Sequence, residues 1–205
     1  INPASPAKYF YIDILIAGTA MTIFLIRHAE AAHSFSQSPN PGLSERGQQQ
    51  AMRCYEMMAS RIDLDQYQVI SSPLLRAIQT AQPFANRAQK AIHIHDDFTE
   101  IPSPNIPLED RSAWLKTLFN KKIHDLGPPQ RVWFKTILKA LSAIKQPCII
   151  ITHFMVINAI VSHLSQKPDL ISFNPANTSI TTCQHRHDGS LMITDLGDEM
   201  PTPIG

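Results

Sequence analysis

The chain has 205 residues, 43% of them hydrophobic, and a formal net charge of +1. This length and apolar content suit one sizeable core and one domain. Near-neutral charge excludes bulk electrostatic attraction to nucleic acid or acidic membranes, so any anion site must be built locally. Three cysteines, Cys54, Cys148 and Cys183, are far apart and odd in number. They make neither a disulfide framework nor a CxxC zinc signature, and they fit a reducing, cytoplasmic setting.

The first twenty residues stand apart. Residues 9–20 are largely apolar but are interrupted by Asp13 and fall far below membrane-spanning length. Lys8 ahead of the run and Ala17-Gly18-Thr19-Ala20 at its end have the layout of a secretory signal, against which Asp13 argues. Residues 1–20 are read as an extension outside the fold, native or added. Residues 21–197 are read as the domain and 198–205 as a frayed tail.

The elements follow in chain order. Thr22-Ile23-Phe24-Leu25-Ile26 is a short apolar run that stops on Arg27 and His28. Such a run suits a strand buried on both faces, as in a parallel sheet. A polar loop covers 31–41, with turn signals at 39–42. Ser44 is a plausible N-cap for a helix running to about residue 61, with Gly47 tolerated in its first turn. Residues 67–71 read as a second strand, and Pro73 as the start of a helix with Arg76 in its first turn.

Residues 91–95 alternate and read as an edge strand. A proline-bearing loop covers 96–110, with Glu100 near its start. Helices are expected at 112–122, 129–145 and 154–164, and a third buried strand at 148–152, ending on His153. Residues 179–184 and 191–195 read as a hairpin turning at Asp188-Gly189. This order implies an α/β fold built on a layered sheet.

Three apolar strands thus end in Arg27-His28, in a segment leading to Arg76, and in His153. Ligands of parallel sheets bind just past the carboxyl ends of the strands. Arginine forks match phosphate oxygens and stay charged. A neutral histidine among them can attack phosphorus, and a second can stabilise charge spreading over the equatorial oxygens. Glu100, partly desolvated and near phosphate, could protonate a leaving alkoxide.

Taken together, Arg27-His28-Ala29-Glu30, Leu43-Ser44-Glu45-Arg46-Gly47, Ser71-Ser72-Pro73 with Arg76, and Thr152-His153 resemble the histidine phosphatase superfamily, the phosphoglycerate mutase-like family. The resemblance runs from about residue 21 to residue 196. It implies that His28 is the nucleophile and forms a phosphohistidine. Arg27, Arg76 and His153 would hold the phosphoryl group, and Glu100 would protonate the leaving group and then activate water. It also implies three layers, α/β/α, with a mixed, mainly parallel central sheet, substrate contacts from Ser34 and Ser44, no metal and no cofactor. Ala31 and Ser34 depart from the mutase pattern, which favours a phosphatase over a phosphoglycerate mutase. A phosphate-binding interaction module without turnover is the alternative of another class.

The expected partner is a phosphorylated small molecule or phosphoprotein, with no nucleic acid and no membrane; the sequence leaves the oligomeric state open. The pairs His93/His95 and His185/His187 lack further ligands and read as surface or edge residues. Trp114 and Trp133 read as packing residues. Asn158 reads either as a pocket residue or as a hydrogen-bonding residue within the fold, and His33 as a substrate contact or a solvated side chain.

Overall fold

The computed structural model describes residues 21–200, His187 excepted. The extension at 1–20 and the end of the tail at 201–205 lie outside the described residues. Six strands form one sheet: β1 (Thr22–Arg27), β2 (Gln68–Ser71), β3 (Ile92–Ile94), β4 (Cys148–Thr152), β5 (Ile180–His185) and β6 (Leu191–Asp195). Their order is β3-β2-β4-β1-β5-β6. The pairs β2·β3, β2·β4 and β1·β4 are parallel, and β1·β5 and β5·β6 are antiparallel.

Five α-helices lie among the described residues: α1 (Glu45–Ala59), α2 (Leu75–Ala88), α3 (Arg111–Thr117), α4 (Pro128–Ala143) and α5 (Phe154–Leu164). Side chains alternate across the central strands and make two cores. Ile23, Leu25, Cys148 and Ile150 pack with Ile137, Leu141 and Ile157 of α4 and α5. Ile26, Ile149 and Ile151 pack with Cys54, Met58, Ala77 and Phe84 of α1 and α2. Helices therefore cover both faces, which gives the three layers. Every residue of β4 is buried, which is why its sequence is continuously apolar rather than alternating.

The first turn of α1 forms as its sequence demands. Ser44 caps it, its hydroxyl accepting from the Gly47 N–H at 2.9 Å. Gly47 is required there rather than merely tolerated, because a Cβ would run into the backbone carbonyl of Glu30. Three boundaries differ from expectation. Helix α2 begins at Leu75 instead of Pro73, because 72–74 stay extended while the Leu74 N–H bonds the Ser72 hydroxyl at 3.3 Å. Arg76 remains in its first turn.

Helix α3 is seven residues long and stops at Thr117. Beyond it the backbone pairs elsewhere: Ile123 N–H donates to Pro168 O at 2.8 Å and Leu170 N–H to Lys121 O at 2.9 Å. The tail is not frayed at 198–200. Ala176 N–H bonds Asp198 O and Met200 N–H bonds Asn174 O, at 2.9 and 2.8 Å, so ordered structure continues to Met200.

Candidate active site

The register brings the ends of three adjacent strands to within one residue of each other. Arg27 pairs with Thr152, and Ser71 with Ile151. The ladder runs one residue further: His28 N–H donates to Thr152 O at 2.9 Å, and Ser72 N–H to Ile151 O at 3.0 Å. His28 and His153 therefore stand level just past β1 and β4, and Ser72, just past β2, stands one position short of them. Arg76 reaches in from the first turn of α2.

These side chains meet. Arg76 Nε–H donates to His28 Nε2 at 3.0 Å. Arg76 also lies 3.3 Å from His153 Nδ1, and His153 Nε2 lies 2.7 Å from Ser72 Oγ. Because guanidinium only donates, both facing ring nitrogens are acceptors. His28 Nδ1–H must then donate to Ala29 O, 2.7 Å away. The His28 lone pair at Nε2 is thus taken by Arg76, and the two imidazole rings stand 5.1 Å apart.

Burial sets the charges. The His28 and His153 imidazoles are held well below their usual value, first by desolvation and then by neighbouring Arg76, so both are neutral near pH 7. Burial also pushes Arg27 down to about 10, with Glu100 opposing the shift. It therefore stays charged. Arg27 donates to Pro175 O at 2.9 Å and approaches the Met200 sulfur at 3.2 Å, while its buried Nε has no partner in the protein.

Glu100 lines the same cavity, and its loop is firmly held. Phe98 and Ile101, on either side, are buried in the core. Thr152 Oγ donates to Phe98 O at 2.7 Å, Trp133 Nε1 to Thr99 O at 2.9 Å, and Gln130 to Pro102 O at 2.8 Å. Desolvation raises the Glu100 carboxyl above its ordinary value, against the pull of the Ile101 N–H, Arg76, Arg27 and the Met155 N–H.

The cavity measures about 480 Å³. Arg27, His28, Arg76 and Glu100 form its floor. The loop at 30–41 and helix α3 with Phe119 form its walls. The arrangement gathers two guanidiniums, a neutral imidazole and a carboxyl group whose pKa is raised.

The family model for the histidine phosphatase superfamily (branch 1) matches residues 23–106. That span includes Arg27, His28, Arg76 and Glu100. Over that segment the chain is similar to the histidine phosphatase superfamily. Solved structures carry the likeness in fold past the matched segment. Mycobacterial glucosyl-3-phosphoglycerate phosphatase, in complex with VO3, has 16% identity and a TM-score of 0.67, covering 88% of this chain and 100% of that one. Entamoeba histolytica phosphoserine phosphatase, in complex with phosphoserine, has 22% identity and a TM-score of 0.66, covering 87% and 97%. The same enzyme with 3-phosphoglyceric acid gives 22% and 0.67, covering 88% and 98%. No curated protein matches the chain in sequence.

Ser34 lies on the cavity wall, exposed, with its hydroxyl 3.0 Å from Gln37 Oε1. Ser44 does not line the cavity. Its hydroxyl caps α1 and donates to Glu30 Oε1 at 2.8 Å. His153 is fully buried and stands behind Arg76 and His28 rather than on the cavity surface. His33 is an exposed wall residue.

Asn158 is a brace within the fold: its Oδ1 accepts from Ser172 N–H and Phe173 N–H at 2.8 and 3.2 Å. His95 pairs with Asp97 at 3.8 Å. Among the described residues no cluster of three His, Cys, Asp or Glu side chains could hold a metal ion.

Sequence reasoning gave no role to three residues that shape the site. Ser72 holds His153; its place one residue past a strand was a readable signal. Thr80 accepts from Ala29 N–H at 3.0 Å and donates to Arg76 O at 2.7 Å, and its position one turn after Arg76 was the clue. Asn177 donates to His28 O at 3.1 Å, and nothing in the sequence marked it.

Proposed function

We propose that the chain is a phosphomonoesterase that works through a phosphohistidine on His28. The observation that carries this reading is the His28 ring itself. It is neutral, anchored at Nδ1 by Ala29 O, and bonded at Nε2 by Arg76 on the floor of a cavity that also holds Arg27 and Glu100.

The reaction balances with these groups. A phosphate dianion draws the Arg76 guanidinium off Nε2 and onto its oxygens, freeing the lone pair. Nε2 attacks phosphorus and the ester P–O bond breaks. The Glu100 carboxyl gives its proton to the departing alkoxide. The ring now carries the phosphoryl group at Nε2 and a proton at Nδ1, and Ala29 O steadies that positive ring. Water then gives a proton to the Glu100 carboxylate as its oxygen attacks phosphorus. The N–P bond breaks, releasing inorganic phosphate and neutral His28.

Arg27 and Arg76 stabilise charge on the equatorial oxygens. His153, held by Ser72, orients Arg76 from behind the cavity floor. The reading needs no metal, since the two guanidiniums supply the positive charge, and their field opposes entry of a divalent cation. Glu100 lining the same cavity favours turnover over an interaction module that only binds phosphate.

A cavity of this size supports a phosphorylated small molecule as substrate. The related structures bind phosphoserine and 3-phosphoglyceric acid. The chemistry is assigned to a single domain at 21–200. The three buried, free cysteines fit a cytoplasmic setting, and among the described residues no helix is long and apolar enough to cross a membrane.

The test is hydrolysis of a generic aryl phosphate in excess chelator, with acid-quenched protein assayed for acid-labile phosphate. Turnover that survives chelator and falls at least about 10³-fold in His28→Ala is expected. Activity lost to chelator, or retained in His28→Ala, would overturn the mechanism.

A further inference from the structure

The cavity extends well beyond what a phosphoryl group fills, and its outer wall has a definite chemistry. Arg27 Cζ sits 5.4 Å over the Phe154 ring, and Phe154 stacks on Phe119 at 5.9 Å and 19°. An aromatic wall therefore starts at the phosphate end and runs outward. Leu115 of α3 and Met200 extend it. Phe35 lines the loop side, its ring braced by Arg111 at 5.8 Å.

Most polar groups on these walls are already engaged. Ser34 and Gln37 bond each other. Glu30 is taken by Ser44 and Arg46, and Asn177 by His28 O. What the walls offer a ligand is ring and aliphatic surface, with the exposed Lys116 at the opening.

The geometry points to a substrate class: phosphomonoesters whose alcohol half is apolar, an aryl or branched alkyl group seated between Phe35 and the Leu115–Phe119 wall. This rests on the phosphatase reading for turnover, though not for binding. Phe35 and Phe119 are then specificity-determining residues. A small polyol or carboxylate-bearing alcohol would leave that surface wet; the cations nearest the walls beyond the phosphate end are the exposed Lys116 and Arg111, which lies over Phe35.

Two measurements on the full chain test it. Calorimetry compares benzylphosphonate with methylphosphonate, which share the anion and cannot be hydrolysed. Steady-state kinetics compares 2-phenylethyl phosphate with glycerol 3-phosphate, both of which release primary alkoxides. Benzylphosphonate is expected to bind at least about tenfold tighter, and kcat/KM to favour the phenylethyl ester by a similar factor. Phe119→Ala and Phe35→Ser should each shrink these ratios about threefold or more; Phe35 lies on a loop, so its variant tests the wall without cutting the core stack.

Equal phosphonate affinities, or ratios unmoved in both variants, would overturn the inference. So would tighter binding of 3-phosphonopropionate, a carboxylate ligand, than of benzylphosphonate. An intact phosphonate preference with neither ester hydrolysed would support the apolar subsite and sink the phosphatase reading instead.

Discussion

The two ends of the cavity are built differently. At the floor every reactive side chain is tethered. His28 is held through Ala29 O, Arg76 and the ladder bond to Thr152, His153 through Ser72, and Glu100 by a loop pinned at three points. At the rim the chain is a loop whose hydrogen bonds are mostly local, facing a helix of seven residues. Strand ends fix positions to fractions of an ångström because three neighbours share one register. Loops do not, so chemistry belongs to the sheet and selection to its connections.

The floor should therefore fail steeply and specifically. Glu100→Gln is expected to lower kcat on an alkyl phosphate by about 10²–10⁴-fold. The loss should be far smaller on a nitrophenyl ester, whose leaving group needs no proton. The pH profile has a worked sign. Neutral His28 is required, and its depressed value pushes the acid limb to low pH. Protonated Glu100 is required, and its raised value carries the alkaline limb upward from the ordinary carboxyl range. Glu100→Gln should remove that alkaline limb; a limb that persists unchanged would assign the proton to another group.

Next in size, Arg76→Lys keeps the charge but loses the fork that spans His28 and His153. A drop of about 10²-fold or more in kcat/KM is expected, of the order seen when an oxyanion donor is removed. A lysine variant within threefold of the intact protein would show that charge alone suffices.

Stability should register the same floor. His28 and His153 titrate well below 6.5 when folded, so between those values the unfolded chain binds more protons. Their contribution is present above the unfolded value and lost as pH falls, at up to about 1.4 kcal/mol per pH unit for each. Glu100 acts with the opposite sign, since its raised carboxyl favours the folded chain at low pH and loses that advantage as pH rises above 4.5. Thermal melts from pH 7 to 5 should fall more steeply in the intact protein than in His153→Gln; parallel slopes would mean that the buried imidazole is not neutral.

The smallest effect separates structure from chemistry at Ser44. Ser44→Ala should cost about 1 kcal/mol of stability through the lost cap. It should leave kcat/KM within about twofold, because the hydroxyl does not reach the cavity. A large loss of activity with unchanged stability would return Ser44 to the substrate contacts.

The fold and the floor were legible for one reason. A strand buried on both faces has an apolar sequence that ends abruptly, so Arg27-His28 and His153 mark their own positions. The order of elements then gave the layered sheet. Glu100 was harder to place, since its position depends on Phe98 and Ile101 entering the core and on Trp133 and Gln130 reaching across from α4. Pairings between segments distant in sequence have no local signature. That is why α3 was drawn too long, why 198–200 looked loose although it pairs with 174–176, and why Asn177 was missed. Ser44 carries two readings in sequence, helix cap and substrate contact, and the cap is the one its hydrogen bond to Gly47 N–H displays.

The central place of β1 in the strand order governs when the site can come into being during synthesis. The strand that ends beside His28 leaves the ribosome before both of its sheet neighbours, β4 and β5, which begin more than a hundred residues later. Until residue 148 is available, Ile23 to Ile26 form an apolar edge without a partner, the kind of segment that invites intermolecular pairing. Sheet closure is thus a late, long-range event, and slow folding follows from the same topology that aligns the three strand ends.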